Sequence, residues 1–434
     1  MNLTQITLVL NVLLILAAPF IQAQQVLTLR ECYDRAATVS AISSDKEVYS
    51  GIWQIRDQNL AREWLPSLDA NGSFVYHSSV VDLSEVIGGL PVPGMAGLIR
   101  PMPHEQYRLT VEVNQMLYDG GAIRGARALE KAGLRVSEKQ VEADLYALRN
   151  QVNNYYFSIL LLDRQKELLE NYLETINKRM ASLDAAIHNG MVLKSDLDVL
   201  MAGKLGLVQQ ITENRIRRDA LLKMLSAITG ITMDSSAQLM VPLTGVLTDN
   251  ELQRPELQLF DLRKEQLEAS RQLIDIRKMP KVFGFATLGY GNPPGNNFFK
   301  DEFAPFAVVG AGVRWNIFDW NKSAGDKQLV AFQQDLLDNR KKDLSAALTR
   351  LSLAKLAEIR SLESHLETDG QIIELRKRIA ATAGSQYENG TITATDYLNE
   401  LNAEKQALIS REIHRINLAL SRVEYMNILG KEIN

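Results

Sequence analysis

Two stretches settle how this 434-residue chain is to be read, Asn189-Gly-Met-Val-Leu-Lys-Ser-Asp196 and Asn389-Gly-Thr-Ile-Thr-Ala-Thr-Asp396. Both have the form N-G-x-x-x-x-[S/T]-D, and they begin 200 positions apart. Tyr118-Asp119 and Phe318-Asp319 keep the same offset, as do Gly230 and Gly430. Three separated landmarks in one spacing indicate an internal two-fold repeat. The expected organisation is a signal peptide at 1–23, a first repeat at 24–230 and a second at 231–434.

Working outward, there is no proline between Ala122 and His188, and none between Asn321 and Glu388. Each span can therefore run as a helix of roughly 65 residues, about 100 Å long at about 1.5 Å per residue. In the first, Leu145, Leu148, Val152, Tyr155, Ile159, Leu162, Leu169, Leu173, Ile176, Met180, Leu183 and Ile187 step by threes and fours, with Lys166 the one polar intruder. That is the seam of a supercoiled helix. Asn-Gly then ends each helix, glycine supplying a left-handed C-cap, and Ser195 or Thr395 followed by Asp is expected to cap the return helix, about 195–228 or 395–428. The return helices are half the length of their partners. Earlier helices, Leu29–Glu63 and Gln253–Lys278, are expected to cover the rest, and Pro66 and Pro280 stop them.

Alternating segments follow those prolines. Tyr107, Leu109, Val111 and Val113 share one face of a strand at 106–117, with Arg108, Thr110, Glu112 and Asn114 on the other. A second clear alternation spans 307–318, and weaker ones lie at 68–76 and 282–290. Nine to twelve residues suit a tilted strand crossing an outer membrane. Trp64, Tyr118, Phe318 and Trp320 mark one end of these strands and Tyr76, Tyr107, Tyr290 and Phe306 the other, like two aromatic girdles. The loops at 77–105 and 291–305 are rich in Gly and Pro. Four strands cannot close a barrel, for which about eight is the minimum, so other copies must complete the sheet.

Composition narrows the remaining options. A net charge of −4 with interspersed signs gives no basic surface for nucleic acid. Leu3–Ala18 is apolar and uncharged, and Ala23 precedes Gln24-Gln25, which reads as a secretory signal cut after Ala23; an uncleaved anchor helix is the alternative. Beyond it no run of about 18 apolar residues exists. Cys32, alone in the chain, has no disulfide partner and reads as a small buried side chain. The five histidines are not within metal-ligand spacing of one another or of Cys32, so no metal or cofactor is expected. Gly289-Tyr-Gly-Asn-Pro-Pro-Gly leads into a loop rather than a helix, which is not the context of a phosphate cradle. No nucleophile elbow or catalytic box is present, and no enzyme activity is expected.

The Asn-Gln-Met-Leu-Tyr-Asp-Gly-Gly run at 114–121, Trp315-Asn-Ile-Phe-Asp319 and the two Asn-Gly tips together resemble the TolC-like outer-membrane efflux proteins across the mature chain. Met116 and Ile392 depart from that family's pattern, which has proline and arginine there. The resemblance implies a membrane α+β fold, in which four strands per protomer complete a trimeric 12-stranded β-barrel continued by a long α-helical coiled-coil barrel. It implies an exit duct in the outer membrane that passively conducts cargo. Its expected partners are a periplasmic adaptor (a membrane fusion protein), an inner-membrane RND or ABC transporter and outer-membrane lipid. By that pattern Asn189, Gly190, Met191, Asn389, Gly390 and Thr391 face the adaptor, while Asp196, Tyr387, Asp396 and Asn399 form the periplasmic gate. Asp196 is expected to bond to Tyr387, and Asp396 to supply a threefold acidic ring, weakened because Asn399 stands where the family has a further aspartate. The alternatives are the exit duct of a type I protein secretion system and a periplasmic coiled-coil adaptor or structural protein.

Overall fold

The computed structural model describes residues 26–81, 102–188, 194–242, 251–297 and 300–433. The leader, the first tip (Asn189, Gly190 and Met191) and most of the 77–105 loop lie outside that set. The chain divides into two compact units, each drawing on both sequence halves. One takes the chain up to Ser44 with Val141–Pro255 and Asp343–Asn434, the other Asp45–Gln140 with Glu256–Lys342. Among the described residues no helix is long and apolar enough to cross a membrane.

Among the described residues there are seven α-helices and six strands: β1 Val26–Leu27, α1 Leu29–Val39, α2 Asp45–Arg62, β2 Ser67–Tyr76, β3 Glu105–Tyr118, α3 Ala122–His188, α4 Lys194–Thr229, β4 Gln238–Leu239, α5 Pro255–Ile276, β5 Lys281–Asn292, β6 Ala304–Arg314, α6 Lys322–Glu388 and α7 Ala394–Leu429. The helices α3 and α6 each have 67 residues and α4 and α7 each have 36, and within each pair the start points differ by 200. Ahead of the hairpin loops the offset is 214, from Arg62 to Ile276 and from Ser67 to Lys281.

The helical unit is built on α3. From Val152 to Leu160 this helix is buried on nearly every side, because α1, α4 and α7 pack on it together; Tyr156, Phe157 and Leu160 join Val152 and Ile159 in the core. The simple heptad seam is therefore too narrow here. The Tyr156 hydroxyl lies 2.9 Å from the Leu27 carbonyl and 2.7 Å from that of Met240, anchoring the small parallel pair β1–β4 to the core. Cys32 is fully buried in the same cluster, and burial pushes its thiol up to about 12.

Leu29–Glu63 is not one helix. It breaks at Ser40 and passes through a 3-10 turn, Ala41–Ser44. Hydroxyls take up the backbone there: Thr38 Oγ1 donates to the Asp34 carbonyl and Ser43 Oγ to that of Thr38. The break falls where α4 ends. Gly230 caps α4 with φ +66°, and a Cβ on it would meet Val39 at 2.8 Å. In the second half Gly430 caps α7, and its absent Cβ would meet Gln253 and Arg254 at 2.5–2.6 Å. Gln253 N donates to the last α7 carbonyl, Leu429, at 2.7 Å, so α7 ends where the α5 segment begins. Val39 and Gln253 are themselves 214 apart.

In the other unit the strands form one antiparallel sheet in the order β2-β3-β5-β6. The strand β6 stops at Arg314, short of the expected 318: Arg314 pairs with Lys281, the first residue of β5, and beyond it no neighbouring strand offers hydrogen bonds. Trp315 instead donates its indole N–H to the Lys278 carbonyl at 3.0 Å. Directly opposed residues share a face. The register therefore puts Leu68, Ala70 and Phe74 beside Val113, Val111 and Tyr107, then Ala286 and Leu288, then Val309 and Ala307. That face is apolar across all four strands and uncovered among the described residues, with Leu68 71% and Val309 81% exposed. The reverse face carries Asp69, Asn71 and Ser73 beside Glu112, Thr110 and Arg108. Toward β6 its glycines Gly310 and Gly312 lie under Phe285 and Phe283, whose rings occupy the space of a Cβ and shield the bare backbone.

Candidate functional site

The second hairpin tip is described in full. At the end of α6, Thr391 N donates to the Gln386 carbonyl at 2.9 Å and Gly390 N to that of Tyr387 at 3.0 Å. With Gly390 at φ +67° this is a Schellman cap. The next helix starts two residues earlier than its Thr395-Asp pair suggests. Thr393 is the N-cap: its Oγ1 accepts from Asp396 N at 3.2 Å, and Asp396 Oδ2 accepts from Thr393 N at 3.2 Å and from Thr393 Oγ1 at 2.7 Å. The signal overlooked in the sequence is the T-x-x-D capping box. Likewise Ser195 is the second residue of α4 rather than its cap.

The capping bonds hold the Asp396 carboxyl below the usual carboxylate range. Asp396 and Asn399 are both exposed, and they line one groove of about 680 Å³ with Thr382, Gln386, Ile392 and Glu400. Tyr387 is held apart from that groove in an apolar cluster with Leu169, Tyr172, Leu200, Ala394 and Leu401. There it lies parallel to and offset from Tyr397, with ring centres 5.4 Å apart and an interplanar angle of 1°.

The expected Asp196–Tyr387 bond is not made: Tyr387 Oη is buried and has no hydrogen-bond partner among the described residues. Asp196 acts on it only through space. Burial, and then the Asp196 charge, push the phenol up, with Arg179 pulling the other way. Arg179 of α3 and Tyr397 of α7 were not singled out by the sequence. Arg179 pairs with Glu388 and lies 5.6 Å over the Tyr397 ring. With Ile392 where the family has an arginine, Arg179 brings a cation to this tip from another helix. Nothing local in sequence marks it.

Residues 58–222 match the family model described as outer membrane efflux protein. No curated protein matches the sequence. Among solved structures, the CmeC outer membrane channel of Campylobacter jejuni is 16% identical, covering 93% of this chain and 85% of its own, with a TM-score of 0.62. The outer membrane protein VceC of Vibrio cholerae is 14% identical over 94% of this chain and 97% of its own, with a TM-score of 0.65. The open-state MtrE outer membrane channel of Neisseria gonorrhoeae is 14% identical over 93% and 89%, with a TM-score of 0.64. At such identities the likeness is one of fold. The resemblance to the TolC-like outer-membrane efflux proteins thus holds at two levels, a family-model match within 58–222 and a shared fold over nearly the whole chain.

Proposed function

We propose that three copies of this chain form the exit duct of a tripartite efflux pump, crossing the outer membrane as a 12-stranded barrel and the periplasm as a helical tunnel. One observation carries the reading: among the described residues, a four-stranded sheet with a continuous, uncovered apolar face, a reverse that is polar on β2 and β3, and two unpaired edges, β2 and β6. Lipid can cover such a face, but it tolerates no open edge, so the sheets must join copy to copy. Uncovered apolar stripes on the helices support assembly as well. Val48, Ile52 and Ile55 of α2 and Leu329, Phe332 and Leu336 of α6 are each 41–61% exposed in the single chain.

The matched lengths of α3 with α6 and α4 with α7 favour a duplicated unit, with repeats 24–230 and 231–434 after a leader at 1–23. The tips at 189–191 and 389–391 then face a periplasmic adaptor, which passes cargo from an inner-membrane RND or ABC transporter. Asp196, Tyr387, Asp396 and Asn399 form the gate region, with Asp396 and Asn399 on its exposed side.

Detergent-solubilised protein reconstituted in planar bilayers tests this reading. Cation-selective conductance from a three-chain particle is expected, and a soluble monomer without conductance would remove the duct. Replacing Asp396 with Ala is expected to weaken block by divalent cations added on the tip side. Unchanged block would take Asp396 out of the constriction.

A further inference from the structure

His365 and His414 are 49 positions apart in the chain. The α6–α7 hairpin brings their rings to 5.0 Å between centres, inclined at 46°. Asp369 lies one turn from His365 on α6, and its Oδ2 is 2.7 Å from His414 Nδ1. The Asp369 side chain is only 11% exposed, that of His414 is 28% exposed, and His365 is exposed. A carboxylate only accepts hydrogen bonds, so Nδ1 is the donor of this pair, and in the neutral ring the Nε2 lone pair of His414 is left for a ligand.

The separation of the rings is that of two imidazoles on one ion. Metal–nitrogen bonds of about 2.0–2.1 Å, ring centres roughly 1.1 Å beyond the nitrogen and an angle at the metal of about 90–109°, from cis tetragonal to tetrahedral, together put the ring centres about 4.5–5 Å apart. A carboxylate on the far nitrogen of a ligating histidine fixes its tautomer and direction. The arginines flanking His414 on α7 are engaged elsewhere: Arg411 and Arg415 approach Glu412 at 3.4 and 2.7 Å.

Among the described residues no three His, Cys, Asp or Glu side chains are grouped to enclose a metal ion. Two imidazoles are therefore the protein's whole donor set here, with the other positions left to water. We propose that His365 and His414 form an exchangeable site for a divalent ion that favours imidazole, Cu²⁺ before Zn²⁺, with Asp369 as the positioning residue. Such an ion would tie α6 to α7 partway along the hairpin. This inference is independent of the duct reading, since it needs only the folded hairpin.

The test is Cu²⁺ titration of the full chain in detergent, followed by electron paramagnetic resonance, in a background where His77, His104 and His188 are alanine. One Cu²⁺ per chain with two equatorial nitrogens is expected, displaceable by excess Zn²⁺. His365→Ala is expected to leave one nitrogen and weaken binding at least tenfold. This residue is exposed, so its loss should leave the helical circular dichroism unchanged. Asp369→Asn is expected to keep both nitrogens while weakening binding about 10–100-fold. Absence of saturable binding, or an unchanged two-nitrogen signal in the His365→Ala, His414→Ala double variant, would overturn the site. Full affinity in Asp369→Asn would overturn the positioning role.

Discussion

The two strand-to-helix passages solve one backbone problem with different residues. In the first half Tyr118-Asp119-Gly120-Gly121 leads into α3, and in the second Phe318-Asp319-Trp320-Asn321 leads into α6. Both turns take two successive left-handed residues, φ 71° and 94° at the glycines, 53° and 62° at Trp320 and Asn321. Both aspartates cap the following helix. Asp119 accepts from Gly121 N at 2.8 Å and Ile123 N at 2.6 Å, and Asp319 accepts from Ser323 N at 3.0 Å. The neighbours differ. A Cβ on Gly120 would lie 2.6 Å from Met279 Cβ and 3.2 Å from the Pro280 carbonyl, whereas Trp320 is 86% exposed and its side chain has room. Packing against Met279 and Pro280, at the entry to β5, rather than the turn itself, makes glycine necessary in one half and optional in the other.

The largest expected effect follows from that contrast. Gly120→Ala adds both a steric clash and a left-handed penalty, together about 3 kcal/mol. It should lower the thermal midpoint of the detergent-solubilised protein well below that of Gly121→Ala, which meets nothing within 4 Å. Equal shifts would dissolve the comparison. Next comes Asp119→Ala, which strips two backbone donors of their acceptor and should cost about 1–2 kcal/mol in the same melt.

Asp319 offers a pH test. Hydrogen bonds from Ser323 hold its carboxyl below the usual range, with the Lys278 charge assisting. Because the folded value is the lower one, its contribution is present above the ordinary carboxylate range and is lost as pH falls through the folded value. Between about pH 5 and 3 the wild type should lose more stability than Asp319→Asn. Parallel curves would show that the cap is idle. The smallest effect is Trp320→Gly. Relief of the left-handed backbone, offset by loss of the edge-on contact with Phe318 at 4.9 Å, should raise stability by less than about 1 kcal/mol. A drop of that size or more would mean that the ring contact outweighs the strain.

What was legible in the sequence is what local chemistry dictates. Proline-free spans gave the extents of α3 and α6, alternation gave the four strands, and the Asn389-Gly390 pair marked the end of α6. The break at Ser40 was harder to read, because Thr38 and Ser43 cap backbone carbonyls only once the chain has turned. The start of α7 was readable from Thr393 and Asp396, but Thr395 stood closer to the aspartate. Contacts between distant segments left no local trace. Arg179 reaches the Tyr387–Tyr397 stack from another helix, Tyr387 is buried out of bonding contact with Asp196, and His365 meets His414 only through the hairpin. The expected gate residues rest on family pattern alone, whereas the residues that hold this tip together come from the fold.

The most direct test of the trimeric duct joins the two open edges of the sheet. With Cys32 replaced by serine, one cysteine is placed at Asn71 on β2 and a second is scanned along β6 from 304 to 314, and mild oxidation is applied to whole cells. The account predicts a register at which disulfide-linked two-chain and three-chain products form and the ladder stops at three. A chain that never cross-links at any register, or a ladder that continues past three, would contradict it.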